Sequence, residues 1–167
     1  MEPQTFTTSF DRTKMWVTCG VTLLLVGIAV LLWALSLHAG AFVILLCCLL
    51  SVVILYGLQP RRIEVTPDSI VLHCPFHTKR IPRTSTTRAR RMRDDDLKGL
   101  WRKFGASGIL GEYGLFASKR YPKIHCYAKR RQTDWIMIYS SPEPACEVWV
   151  VTPDDGEAFL ALFPAQN

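Results

Sequence analysis

MWVTCGVTLLLVGIAVLLWALSLHAGAFVILLCCLLSVVILYGLQP, residues 15–60, contains no Asp, Glu, Lys or Arg in a chain where 20% of residues are charged. A hydrocarbon layer about 30 Å thick is crossed by roughly 20 helical residues, so this run predicts two crossings. His38, Ala39 and Gly40 form a short polar and small interruption, which places the helices at about residues 16–37 and 41–58. Trp16, Trp33 and Tyr56 lie near the ends, where amphipathic rings settle at headgroup level.

Working outward, Arg12 and Lys14 precede the first apolar run, Arg61 and Arg62 follow the second, and the connecting turn carries no charge. By the positive-inside rule both ends face the cytoplasm. The run is expected to cross a membrane twice, with residues 1–14 as a cytoplasmic tail and 15–59 as the hairpin. Ala39-Gly40-Ala41 resembles a signal cleavage site, but about 22 apolar residues precede it, against roughly 7–15 in a signal h-region. A buried soluble hairpin is disfavoured because neither helix has a polar face. Without an ionisable residue inside the spans there is little basis for transport, and Gly20 and Gly27 miss the G-x-x-x-G spacing. The hairpin reads as an anchor.

Residues 60–167 hold all the basic residues except Arg12 and Lys14, and all the acidic ones except Glu2 and Asp11. That length suits one compact domain. Residues 62–65 and 69–73 alternate around Thr66-Pro67-Asp68 and predict a hairpin. Further strands are expected at 84–92, 123–130, 134–140 and 146–151, with Trp135, Met137 and Tyr139 on one face and Ile136 and Ile138 on the other. A closing helix is expected to start with Thr152 as N-cap and Pro153 at N1, burying Ala158, Phe159, Leu162 and Phe163.

Residues 102–114 read R-K-F-G-A-S-G-I-L-G-E-Y-G, followed by Tyr127-Ala128 and by V-T-P-D-D-G-E-A-F at 151–159. This set resembles the membrane-anchored bacterial pleckstrin-homology (PH)-like proteins, through Phe104, Gly105, Gly108, Gly111, Gly114, Tyr127, Pro153 and Asp154. Lys129 stands where that family's Thr is usual, and Thr152 replaces its Ser. The resemblance implies a bent antiparallel sheet or barrel of about seven strands capped by a C-terminal helix. It also implies binding or scaffolding in place of catalysis, with no cofactor.

The glycines at 105, 108, 111 and 114 match neither nucleotide-loop template, so they read as points of positive φ or close packing. The segment is expected to be a loop, lying over the sheet or against a membrane. Lys79, Arg80, Arg83, Arg88, Arg90, Arg91, Arg93, Arg102 and Lys103 are the candidate contacts for anionic headgroups or a partner, although strand alternation divides them between two faces. The alternative is an ordinary solvated surface. The first hairpin lacks the basic inositide motif of PH domains. No nucleic-acid motif accompanies the charge, and Asp94-Asp95-Asp96 reads as a solvated loop. His73, Cys74, His77, His125 and Cys126 lack zinc spacing, and no nucleophile with its base is evident, so neither a metal nor an enzyme is expected. The reading is a PH-like module anchored in a bacterial inner membrane, both termini cytoplasmic, that recruits a protein partner or contacts anionic lipid at the cytoplasmic face. The alternatives are an accessory subunit of a larger membrane complex or, more weakly, a membrane enzyme.

Overall fold

The computed structural model describes residues 3–106, 111–130, 132–140 and 147–164. It opens with a strand, β1 (Gln4–Thr7), within the segment expected to be a tail. Two long helices follow, α1 (Arg12–Ala34) and α2 (His38–Leu58). At 23 and 21 residues they are roughly 31–35 Å long, long and apolar enough to cross a membrane. α1 starts earlier than expected because Asp11 caps it, its carboxylate accepting from the Thr13 amide at 2.9 Å. The turn falls at residues 35–37, not at 38–40, with Ser36 at φ 61°. Ala29, Ala41 and Gly57 are the buried positions of the two helices, and Gly57 lies against the Phe76 ring.

β2 (Arg62–Val65) then pairs antiparallel with β1, Phe6 opposite Ile63. The helix pair is therefore inserted between two neighbouring strands of one sheet, and both helix ends attach to it. β3 (Ser69–His73) closes the expected hairpin through the Thr66–Ser69 turn, and β4 (Thr78–Pro82) adds an edge that sequence patterning did not indicate. The first sheet runs β1-β2-β3-β4.

The second sheet contains β5 (Arg88–Arg91), β6 (Trp101–Ala106), β7 (Glu112–Ala117), β8 (Ile124–Ala128), β9 (Ile136–Tyr139) and β10 (Val148–Val151), in the order β5-β9-β10-β8-β7-β6. β10 lies between β9 and β8 and runs parallel to β8. β5 begins later than expected because residues 84–87 form a turn closed by the Thr87 hydroxyl, which accepts from the Thr84 amide. The glycine-rich segment expected to be a loop supplies β6 and β7, a paired hairpin.

Period-two alternation on β9 separates two cores as expected. Ile136 and Ile138 join Phe6, Ile63, Leu72, Trp149 and Phe159 between the sheets. Trp135 and Met137 join Phe116, Tyr121, Cys126 and Val150 on the other face. A short helix, α3 (Asp94–Leu97), closes that second core with Leu97 and Leu100 packed against it. The final helix, α4 (Gly156–Leu160), starts later than expected, with Asp155 as its N-cap. Thr152 is buried and accepts from the Lys129 amide, and Asp154 is bonded elsewhere, so capping passes to Asp155. Phe159 and Phe163 are buried as expected, whereas Ala158 faces outward. Two apolar helices and a mostly β domain with a C-terminal helix together form the PH-like architecture that the sequence indicated.

Candidate functional site

Register places a row of side chains across four strands. Phe104 lies opposite Leu115, Leu115 opposite His125, and His125 beside Trp149. Directly paired residues share a face of the pleat, so the row is continuous. It forms a ramp from the open edge strand β6, where Phe104 is 79% exposed, to Trp149, which is 9% exposed in the first core. His125 stacks on Trp149 with centroids 4.1 Å apart and planes within 10°. Tyr127 continues the stack and His77 of the β3–β4 turn lies against it. Lys79 of β4 places its Nζ 5.2 Å from the Trp149 ring centre, a cation over an aromatic face.

His125 Nε2 is buried without a hydrogen-bond partner among the described residues, and Glu147 stands 3.7 Å away. Burial pushes the imidazole pKa down, outweighing the upward pull of Glu147. The shift favours the neutral imidazole. On β6, Trp101 is 57% exposed and Arg102 and Lys103 stand exposed between it and Phe104. Pairing shifts between Arg102 and Phe104, so Lys103 is the extra residue of a bulge, and its Nζ donates to the Pro122 carbonyl at 2.9 Å. An edge with exposed aromatic and basic side chains and, among the described residues, no strand paired on its outer side can bind another chain by apolar burial, charge and strand addition.

The basic residues of 79–93 do not form one patch. Arg80 lies on the outer face of the first sheet beside a cleft shared with Glu64 and His73. Arg83 donates to the Thr66 and Leu162 carbonyls and lies over Phe163. Arg88 donates to the Ser85 carbonyl. Arg91 pairs with Glu157 at 2.7 Å, and Arg93 is exposed. Arg90 forms a two-pronged pair with Asp96 at 2.6 and 3.0 Å and also reaches the Tyr121 hydroxyl. The Asp94-Asp95-Asp96 triplet is correspondingly not a solvated loop, because Asp96 is fully buried. Burial would raise its pKa, but hydrogen bonds from Arg90 and the Arg93 amide hold it below the usual carboxylate range.

The glycines have a backbone role. Gly105 and Gly114 face one another across β6 and β7 at φ +121° and +119°, and a Cβ on either would stand 2.0 Å from the Tyr113 carbonyl or 2.3 Å from the Phe104 carbonyl. Gly111 gives way to the Tyr113 ring in the same manner. Gly108 lies outside the described residues.

Asp154 was legible as a motif residue but not as a latch. Its carboxylate accepts from the Thr7 hydroxyl at 2.7 Å, the Ser9 amide at 2.8 Å, the Ser9 hydroxyl at 2.7 Å and Arg130 at 2.7 Å. Beside it, Lys129 is buried, donates to the Thr8 carbonyl at 3.0 Å and lies over the Phe10 ring. Burial lowers its pKa to about 8. Lys14 of α1 reaches Glu112 at 3.6 Å, and Phe76 packs on Gly57 of α2, so both helix ends rest on the domain. Among the described residues no group of three His, Cys, Asp or Glu could hold a metal ion.

Comparison with curated proteins and with solved structures returns no match. The family model described as "Bacterial PH domain" matches residues 61–164, spanning β2 through α4 and including the ramp, the glycine hairpin and Asp154. A domain with this topology, matched over most of the chain, belongs to the bacterial PH domain family.

Proposed function

We propose that the chain is a membrane-anchored binding module that recruits a protein partner at the cytoplasmic face of the inner membrane through the β6 edge and its aromatic ramp. A PH-like domain supports binding or scaffolding in general. The observation that carries the finer reading is the open edge itself. Trp101 and Phe104 are among the exposed large apolar side chains outside the two long helices, and Arg102 and Lys103 separate them. Aromatic and Arg side chains are the usual anchors of protein interfaces, and an unpaired strand edge supplies directional hydrogen bonds. Insertion of the helix pair between β1 and β2 holds this edge at a set attitude to the bilayer, because both connections are short.

The test is purification of the full chain in mild detergent with quantification of co-purifying proteins. A stoichiometric partner retained by the wild type and lost from Phe104→Asp, with unchanged melting temperature, supports the reading. Equal retention by the variant removes it. A second reading, contact with anionic headgroups, is favoured by the net positive charge of residues 60–167 beside two membrane-length helices. It requires co-sedimentation of residues 61–167 with anionic vesicles that weakens as salt rises.

A further inference from the structure

We infer that the β3–β4 turn is a third membrane contact, whose tip, Pro75-Phe76, enters the interfacial layer of the bilayer beside the foot of α2. The inference rests on the proposed placement of α1 and α2 in a bilayer, but not on the β6 edge. α2 has 21 residues, about 31 Å of helix, which a hydrocarbon layer about 30 Å thick takes up almost entirely. Gly57, its penultimate residue, then lies at the hydrocarbon boundary. Trp16 and Tyr56 mark the same level, each about 27 Å from the end of its helix nearest the connecting turn, and both are exposed. The β3–β4 turn is fastened there. The Phe76 amide donates to the Gly57 carbonyl at 3.2 Å, satisfying one of the carbonyls that a helix end leaves open. The Phe76 ring lies on Gly57 and leaves no room for a Cβ.

The composition of the turn fits that level. Pro75 and Phe76 are both exposed, Phe76 by 61%, although the turn itself is held in place. The Cys74 amide donates to the His77 carbonyl at 2.9 Å, Cys74 is buried, and His77 lies against Tyr127. Turns that face water are built mostly from Gly, Asn, Asp, Ser and Pro, as Thr66-Pro67-Asp68-Ser69 is at the other end of β3. β3 separates the two turns by about 14 Å, at roughly 3.4 Å per residue from Ser69 to His73. The polar turn lies at the far end, and the apolar one lies on a helix of membrane length. An exposed ring fixed at that helix foot meets the headgroup boundary of the surrounding leaflet, where aromatic side chains settle. Because the tip carries no charge, the contact is apolar, and a zwitterionic lipid is a sufficient partner.

The full chain is reconstituted in phosphatidylcholine nanodiscs with the photoreactive p-benzoylphenylalanine at one position at a time, and adducts are identified by mass spectrometry after irradiation. Placed at Phe76, the probe should form a lipid adduct whose yield is unchanged at molar salt, because apolar contact is not screened. Placed at Pro75, which leaves the Phe76 ring on Gly57, it should do the same. At Asp68 it should form none, and at Trp16 it reports whether α1 lies in the bilayer. Lipid adducts at Trp16 but at neither Pro75 nor Phe76 overturn the turn contact. Adducts to protein instead of lipid, equal yields at Asp68 and Phe76, or adducts lost at molar salt overturn it as well. Should replacement of Phe76 lower the melting temperature, the Pro75 probe decides. Absence of lipid adducts at Trp16 refutes the membrane placement itself, which separates that failure from failure of the turn contact.

Discussion

Replacing Asp154 with Ala should release β1 from its sheet while leaving the rest of the domain folded. The carboxylate accepts four hydrogen bonds of 2.7–2.8 Å, from Thr7, Ser9 (two) and Arg130. A hydrogen bond to a charged group contributes about 1.5–3 kcal/mol, but the four share one carboxylate and do not add. Its side chain is 30% exposed, so water replaces part of what is lost. We expect about 2–4 kcal/mol less free energy for β1 opening, which converts to roughly 30- to 700-fold faster exchange. The assay is amide hydrogen exchange on the detergent-solubilised full chain, comparing β1 amides bonded to β2 with those of β9. Unchanged β1 exchange would refute the latch, and a uniform rise in β9 as well would show a global effect instead. Acid gives an independent check. Burial would raise the Asp154 pKa, but hydrogen bonds from Thr7 and Ser9 and the Arg130 charge hold it below the usual carboxylate range. This stabilisation is complete above the unfolded pKa of about 3.9 and is lost as pH falls through the folded value. Protection of β1 should therefore collapse in that acid range in the wild type and show no such step in Asp154→Asn.

Phe159→Ala removes a fully buried ring that meets Phe6 and Phe163, and should cost about 3–5 kcal/mol in denaturant unfolding. Gly105→Ala or Gly114→Ala forces a Cβ against a carbonyl at positive φ and should destabilise by more than about 1 kcal/mol, whereas Gly20→Ala, with nothing within 4 Å, should not. Lys129 has a folded pKa of about 8 against an unfolded value of about 10.4, so between those values the unfolded chain binds more protons and stability rises with pH. The rise, about 3 kcal/mol in all by linkage, should vanish in Lys129→Met when unfolding is followed from pH 7 to 10.5.

The two long helices were legible because a charge-free run of apolar residues has few other stable settings, and the β2–β3 hairpin because Thr66-Pro67-Asp68 is local turn chemistry. The two faces of β9 were likewise legible from alternation, since pleat geometry assigns neighbouring residues to opposite sides. Local signals misled where a partner lay far along the chain. Thr152 has every quality of an N-cap, yet its hydroxyl is used by Lys129 and capping falls to Asp155. Gln4–Thr7 holds one apolar anchor and is a strand only because β2, more than fifty residues later, lies beside it.

Composition and periodicity thus specified two apolar helices long enough to cross a membrane and the β character of the domain, and the glycine motif carried the resemblance to the PH family, all through contacts or patterns within a few residues. Strand order, the insertion of the helices between β1 and β2, and the ramp from Phe104 to Trp149 belong to tertiary structure. Each depends on which distant segments share a ladder, and pairing across long separations leaves no mark in local sequence. The charge distribution shows the same division. Sequence counted the arginines, whereas burial beside Asp96 and above Phe163 withdrew Arg90 and Arg83 into the fold and left Arg102 at its open edge.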